Sequence, residues 1–156
     1  MRKVVLSLAV TAAAVATATP ALANEGRAEA RGGVIWGQGS SEAIVGVAFG
    51  YDFDLGESAF VGAEVSGDKI LDGAANRVSF GATGRIGARM GADDKIYAAG
   101  GYTSKPCSTC VDAVHAGAGW EHSFGALYGK VEYRHYFTKQ GLPDSDAVAV
   151  GLGMKF

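Results

Sequence analysis

The chain has 156 residues, 48% of them hydrophobic, with 24 glycines, only 3 prolines and a formal net charge of −2. A near-neutral, slightly acidic chain carries no basic surface for nucleic acid, and beyond residue 23 no run of roughly 18 apolar residues is present to form a transmembrane helix. What remains is one domain of Gly-rich apolar segments separated by short polar stretches.

The N-terminus starts with Arg2 and Lys3, continues as an apolar stretch from Val4 to about Ala18, and then reads Pro20-Ala21-Leu22-Ala23. This is the pattern of a cleavable secretory signal over 1–23, with the A-x-A of Ala21 and Ala23 directing cleavage before Asn24. Its apolar core is too short to anchor. Without Arg2 and Lys3, 12 of the 14 basic residues face 16 acidic ones, and the net charge moves from −2 to −4. Residues 24–156 then form the mature domain in an oxidising compartment.

Strands are expected over 28–37, 43–53, 59–67, 77–90, 95–104, 113–123, 127–137 and 146–156. In the second, Val45, Val47, Phe49, Tyr51 and Phe53 share one face, while Gly46, Ala48, Gly50, Asp52 and Asp54 share the other. The fourth sets Val78, Phe80, Ala82, Ile86, Ala88 and Met90 against Arg77, Ser79, Thr83, Arg85 and Arg89. The fifth is ambiguous; placing Ile96, Ala98 and Tyr102 outward puts Lys95 inside. The seventh and eighth repeat the division, with Val131, Tyr133, His135 and Phe137, then Val148, Val150, Leu152, Met154 and Phe156, on the apolar side. The number of strands is even, as in bacterial barrels.

A chain of this kind can reside in a membrane only if its sheet closes, because open edges leave backbone groups unsatisfied in hydrocarbon. The expected fold is therefore all-β: an eight-stranded antiparallel up-and-down transmembrane β-barrel. A soluble β-sandwich would alternate in the same way, but with turns richer in Pro and Asn-Gly. Tight periplasmic turns are expected at 55–58, 91–94 and 124–126, and outer loops of about five to ten residues around 40, 72, 108 and 141. Tyr51, Phe53, Trp120, Tyr128 and Phe156 would then gather at the periplasmic rim, and Trp36, Tyr102, Tyr136 and Phe137 at the outer rim, as interfacial girdles.

The interior of an eight-stranded barrel is just wide enough for side chains to fill. On these registers Glu64, Arg85, Glu121, Lys130, Glu132 and Arg134 point inward, where burial requires opposite charges to pair. They read as a salt-bridge network plugging the lumen; the alternative is a gated or narrow ion path. Cys107 and Cys110, in the third outer loop, are expected to form a disulfide. The same C-x-x-C could serve zinc or redox chemistry, but no second pair exists and only His115 follows nearby. His122 beside Ser123, after Glu121, invites a hydrolase reading. Adjacent strand residues point to opposite faces, however, so His122 cannot activate Ser123, and the His-x-Ser spacing of barrel deacylases is absent. No catalytic, cofactor or metal site is assigned.

The final Gly151-Leu152-Gly153-Met154-Lys155-Phe156 looks like an outer-membrane sorting signal, carried by Gly151, Met154 and Phe156. The segments Gly50-Tyr51-Asp52-Phe53-Asp54-Leu55-Gly56 and Ala59-Phe60-Val61-Gly62-Ala63-Glu64 resemble the opacity-protein-like barrels of proteobacteria, in the size class of OmpA/OmpX-type barrels. The resemblance implies a structural or surface protein of the outer membrane, without cofactor and monomeric, surrounded by outer-membrane lipids. It also implies handling by periplasmic chaperones and the barrel-assembly machinery. The outer loops expected here are shorter than those of adhesive opacity proteins. A weak adhesin, like a lipid-modifying barrel enzyme, is therefore a secondary reading.

Overall fold

The computed structural model describes residues 24–37, 39–71, 77–138 and 143–156. The expected signal segment 1–23 lies outside the described residues, as do parts of the outer loops expected around 72 and 141. The strands are β1 (Glu25–Gly37), β2 (Ser40–Asp54), β3 (Ala59–Ile70), β4 (Ser79–Met90), β5 (Asp94–Thr103), β6 (Ala113–Phe124), β7 (Leu127–Thr138) and β8 (Ser145–Lys155). Each pairs antiparallel with its neighbours in sequence, and β1 pairs with β8 to close an eight-stranded barrel.

Closure is complete to the last residue, since the Gly26 amide donates to the Phe156 carbonyl at 2.8 Å and the Phe156 amide to Gly26 at 2.9 Å. The turns at the β2–β3, β4–β5 and β6–β7 ends are tight, the last being only Gly125 and Ala126. Gly125 has φ 73°, and a two-residue hairpin loop needs a residue that tolerates positive φ.

The alternation read from the sequence holds along each strand. Val47, Phe49, Phe80, Ile86, Leu152 and Met154 lie on the exposed outer face, while Ala48, Asp52, Ser79, Thr83 and Arg85 are buried inside. In β5, Lys95, Tyr97 and Ala99 are buried and Ile96 and Tyr102 exposed, which is the register that put Lys95 inside.

Three expectations are corrected. The first outer connection is no loop of five to ten residues: β1 runs to Gly37 and β2 starts at Ser40. Ser40, Ser41 and Glu42 look like loop residues, yet they continue the ladder opposite Gly37, Trp36 and Ile35. β1 likewise starts three residues earlier than expected and β3 ends three later, because their polar ends face the lumen, where polarity is no sign of a loop.

Tyr128 and Tyr136 are not girdle residues. Tyr128 is 1% exposed and faces inward, and Tyr136 alternates with the outward Phe137, so the two cannot share a rim. Among the outward aromatics, Tyr51, Phe53, Trp120, Phe124 and Phe156 lie toward one end and Trp36, Tyr102 and Phe137 toward the other, with Phe49, Phe80 and Tyr133 also on the outer face.

Candidate functional site

Strand alternation buries charge in the lumen from seven strands, and Lys155 at the end of β8 adds a less buried one. Arg27, Glu29 and Arg31 come from β1, Asp52 and Asp54 from β2, and Glu64 and Arg85 from β3 and β4. Lys95 and Glu121 come from β5 and β6, and Lys130, Glu132 and Arg134 from β7. These twelve buried residues are six cations and six anions, so the interior is balanced without counterions.

Two clusters organise them. The first centres on Glu64, whose Oε1 accepts from Arg31 Nη1 at 3.1 Å and Arg134 Nη2 at 3.0 Å. Its Oε2 accepts from Arg27 Nη1 at 3.0 Å and Lys130 Nζ at 3.3 Å. One carboxylate thus ties β3 to β1 and β7 across the barrel. Around it, Arg31 forks onto Asp68 at 2.8 and 2.6 Å, Lys130 meets Glu29 at 3.0 Å, and Arg134 pairs with Glu132.

The second cluster lies toward the tight-turn end. Arg85 is held by Asp52 and donates to Glu121 at 3.1 Å. Lys95 reaches Glu25 at 2.7 Å and Asp52 at 3.2 Å, and Lys155 meets Glu121 at 3.0 Å. Arg27 connects the clusters, with Nε 3.6 Å from Asp52 Oδ1.

Aromatic side chains fill what the ions leave. The Arg85 guanidinium lies 5.1 Å from the Phe60 ring centroid and 4.7 Å from that of Tyr97, distances at which a cation gains from the ring face. Tyr97 donates to Glu132 at 2.6 Å and Tyr128 to Glu29 at 3.0 Å. Space comes from glycine on the neighbouring strand: a Cβ at Gly151 of β8, which pairs with β1, would stand 2.7 Å from the Glu29 carboxyl carbon.

Of the six charges expected in the lumen, Glu64, Lys130, Glu132 and Arg134 share the first cluster, and Arg85 and Glu121 pair in the second. Arg27, Glu29, Arg31, Asp52 and Lys95 complete them. The signal for β1 was present, because Arg27, Glu29 and Arg31 alternate with Ala28 and Ala30. Alanine gives a weak outer face, so the charged face passes for a polar terminus.

The remaining candidates lie apart. Cys107 and Cys110 are disulfide-bonded, Cα atoms 5.0 Å apart; closing so short a loop is worth about 2 kcal/mol on chain-entropy arithmetic. The loop is pinned by the Arg77 amide donating to the Pro106 carbonyl at 3.0 Å and the Lys105 amide to Asp112 at 2.9 Å. The Tyr102 hydroxyl and that amide hold the Asp112 carboxyl below the usual carboxylate range.

His115 is buried in the lumen between Thr83 and Thr103, each at 3.0 Å. His122 bonds Asp94 at 2.9 Å, whereas Ser123 accepts from Lys155 at 2.7 Å on the other face. Gly151 faces the lumen, and Met154 and Phe156 face outward.

No protein family and no curated protein matches this chain. Solved structures do. The N-terminal β-barrel domain of Pseudomonas aeruginosa OprF superposes with TM-score 0.58 at 14% identity, over 85% of this chain and 97% of that one. Ail, the attachment invasion locus protein of Yersinia pestis, in complex with the heparin analogue sucrose octasulfate, gives 0.58 at 12%, over 85% and 98%. The outer membrane enzyme PagL gives 0.55 at 14%, over 82% and 98%. What this chain has in common with all three is the fold of the small outer-membrane β-barrels.

Proposed function

We propose that the protein is a monomeric surface barrel of the outer membrane, reached through a cleaved signal, with a lumen closed by its own ion pairs and no catalytic role. The observation that carries the reading is Glu64, a mid-lumen carboxylate engaged by four cations from two other strands. An open path would require several of these contacts to part together in a poorly hydrated space, where each is strong. The membrane setting is supported by the outward apolar face and its aromatic ends, which fit lipid.

The narrow or gated pore is disfavoured by the cross-linking of the network from β1 to β7. A hydrolase is disfavoured because His122 and Ser123 stand on opposite faces. Weak adhesion is disfavoured by the two-residue first connection, which offers little surface. In biogenesis, Gly151, Met154 and Phe156 serve as the β8 signal to the assembly machinery after delivery by periplasmic chaperones. Deleting Phe156 is expected to leave unfolded protein in the periplasm, and an unchanged membrane yield would remove that role.

The main test is purified protein in lipid. It should migrate differently on gels before and after boiling and show no stable conductance in a planar bilayer. Steady, large openings from the unmodified protein would overturn the closed-lumen reading and favour the pore.

A further inference from the structure

Beyond the level of Arg31 and Arg134 the described residues no longer fill the lumen. A cavity of about 380 Å³ extends from there to the outer end, with Pro106, Thr109, Cys110 and Val111 of the disulfide loop along its lining.

Its wall differs from the lumen elsewhere. Ile35, Ile44 and Ile70 face inward at the outer ends of β1, β2 and β3, with Ile44 opposite Ile70 and Ile35 opposite Ala147 of β8. The β1–β2–β3 side, with Ala147 of β8, is thus aliphatic between Arg31 and Asp68 at the floor and Glu42, the inward partner of Ile35, at the mouth. The other side carries hydroxyls, from Ser79 and Thr103 to Tyr136 and its register partner Ser145. A barrel interior facing water is expected to be polar, so aliphatic side chains lining an unfilled space point to an apolar occupant.

The floor says what the occupant is not. Arg31 spends Nε and Nη2 on Asp68 and Nη1 on Glu64, and Arg134 is held by Glu64 and Glu132. These guanidinium forks are engaged by carboxylates, which leaves an anionic headgroup little to bind. At about 30 Å³ per water-sized unit, the space takes on the order of a dozen non-hydrogen atoms. It lies in the range of small-ligand pockets, which are mostly apolar with a few directing polar groups.

We propose that this outer vestibule binds a neutral amphiphile taken up as a free molecule. An aliphatic chain of about ten carbons would lie against Ile35, Ile44 and Ile70, and an uncharged hydroxyl-bearing end would face Ser79, Thr103 and Tyr136. The proposal goes beyond the closed-lumen reading and stands whether or not the barrel conducts.

The five isoleucines of the chain make the test specific. Three line the vestibule, while Ile86 and Ile96 lie on the outer face. Perdeuterated protein with ¹³CH₃-labelled isoleucines, in nanodiscs of deuterated lipid, is titrated with 1-decanol. Saturable methyl shifts and decanol cross-peaks are expected at Ile35, Ile44 and Ile70, and only unsaturable changes at Ile86 and Ile96. Decanoate should bind at least tenfold more weakly, and Ala149→Leu, which narrows the space, should weaken decanol by at least tenfold with the Ile86 and Ile96 signals unmoved. Cross-peaks from the three vestibule methyls to water alone would overturn the site. In a second sample with protonated lipid and no decanol, cross-peaks to acyl chains at those methyls would make the occupant a membrane lipid and overturn uptake of a free molecule. Decanoate binding as tightly as decanol would overturn the neutral headgroup.

Discussion

Replacing Glu64 by Gln is expected to destabilise the barrel by about 3 to 5 kcal/mol, the usual cost of removing one partner from a buried ion pair. The variant keeps the shape of the side chain and loses its charge, so Arg27, Arg31, Lys130 and Arg134 face one another without their shared anion. At about 3 Å and an effective dielectric constant of about 20, each contact with Glu64 is worth about 5 kcal/mol, partly cancelled by repulsion among the four cations. Removing the anion leaves that repulsion opposed only by the outer partners of the four cations, Asp52, Asp68, Glu29 and Glu132.

Urea unfolding in detergent should show the loss, and planar-bilayer recording should show brief openings absent from the parent. Adding Lys130→Met to Glu64→Gln restores the charge balance and should recover part of the stability, because neighbouring sites in one network do not add. A Glu64→Gln barrel within about 0.5 kcal/mol of the parent, the range of an ordinary surface change, would show that Glu64 does not hold the lumen. Glu132→Gln is expected to be milder, since among the described residues Glu132 meets two cations, Arg134 and Lys130, against four for Glu64.

The second large effect concerns two adjacent glycines with opposite expectations. Gly101 faces the lumen, and a Cβ there would stand 2.8 Å from the Thr83 Cα and 3.0 Å from the Ala82 carbonyl carbon. These are backbone atoms of the paired strand, which cannot rotate aside. Gly100 faces outward, and its nearest neighbour would be the His115 carbonyl oxygen at 3.6 Å, an ordinary contact.

Gly101→Ala should therefore cost at least the 1–3 kcal/mol typical of overpacking, here about 3 because the ladder itself must shift. The yield of heat-modifiable barrel should fall with it. Gly100→Ala should be neutral or slightly stabilising, since it removes the extra freedom of a glycine from a strand. Refolding yields and denaturation midpoints of the two variants compared side by side provide the check. Equal behaviour would mean that the close approach of β4 and β5 does not limit this barrel.

Much of the fold was legible because a strand writes its two faces into alternate residues. Val47, Phe49 and Tyr51 against Ala48, Gly50 and Asp52 settle orientation locally, without knowledge of any partner. The Cys107–Cys110 bridge was legible for the same reason, as its geometry is contained within four residues.

The faults in the sequence reading have one cause: polarity was taken as a sign of solvent or of a rim. Ser40 to Glu42 were assigned to a loop and are strand, Arg27 lies outside the strand expected over 28–37 yet points into the lumen, and Tyr128 was assigned to a girdle and lies inside on Glu29. In a barrel whose interior is polar, that inference inverts.

Alternation by itself determined which side of the wall each charge occupies. Only the closed structure decided which charges meet. Glu64 and Arg134 are 70 residues apart in sequence and on non-adjacent strands, so no pairing rule along the chain connects them. Their contact is set by the relative heights of β3 and β7, which follow from the stagger accumulated strand by strand around the barrel. The vestibule was hidden for the same reason: Ile35, Ile44 and Ile70 are scattered single residues in the sequence, and the register of three strands places them at one level.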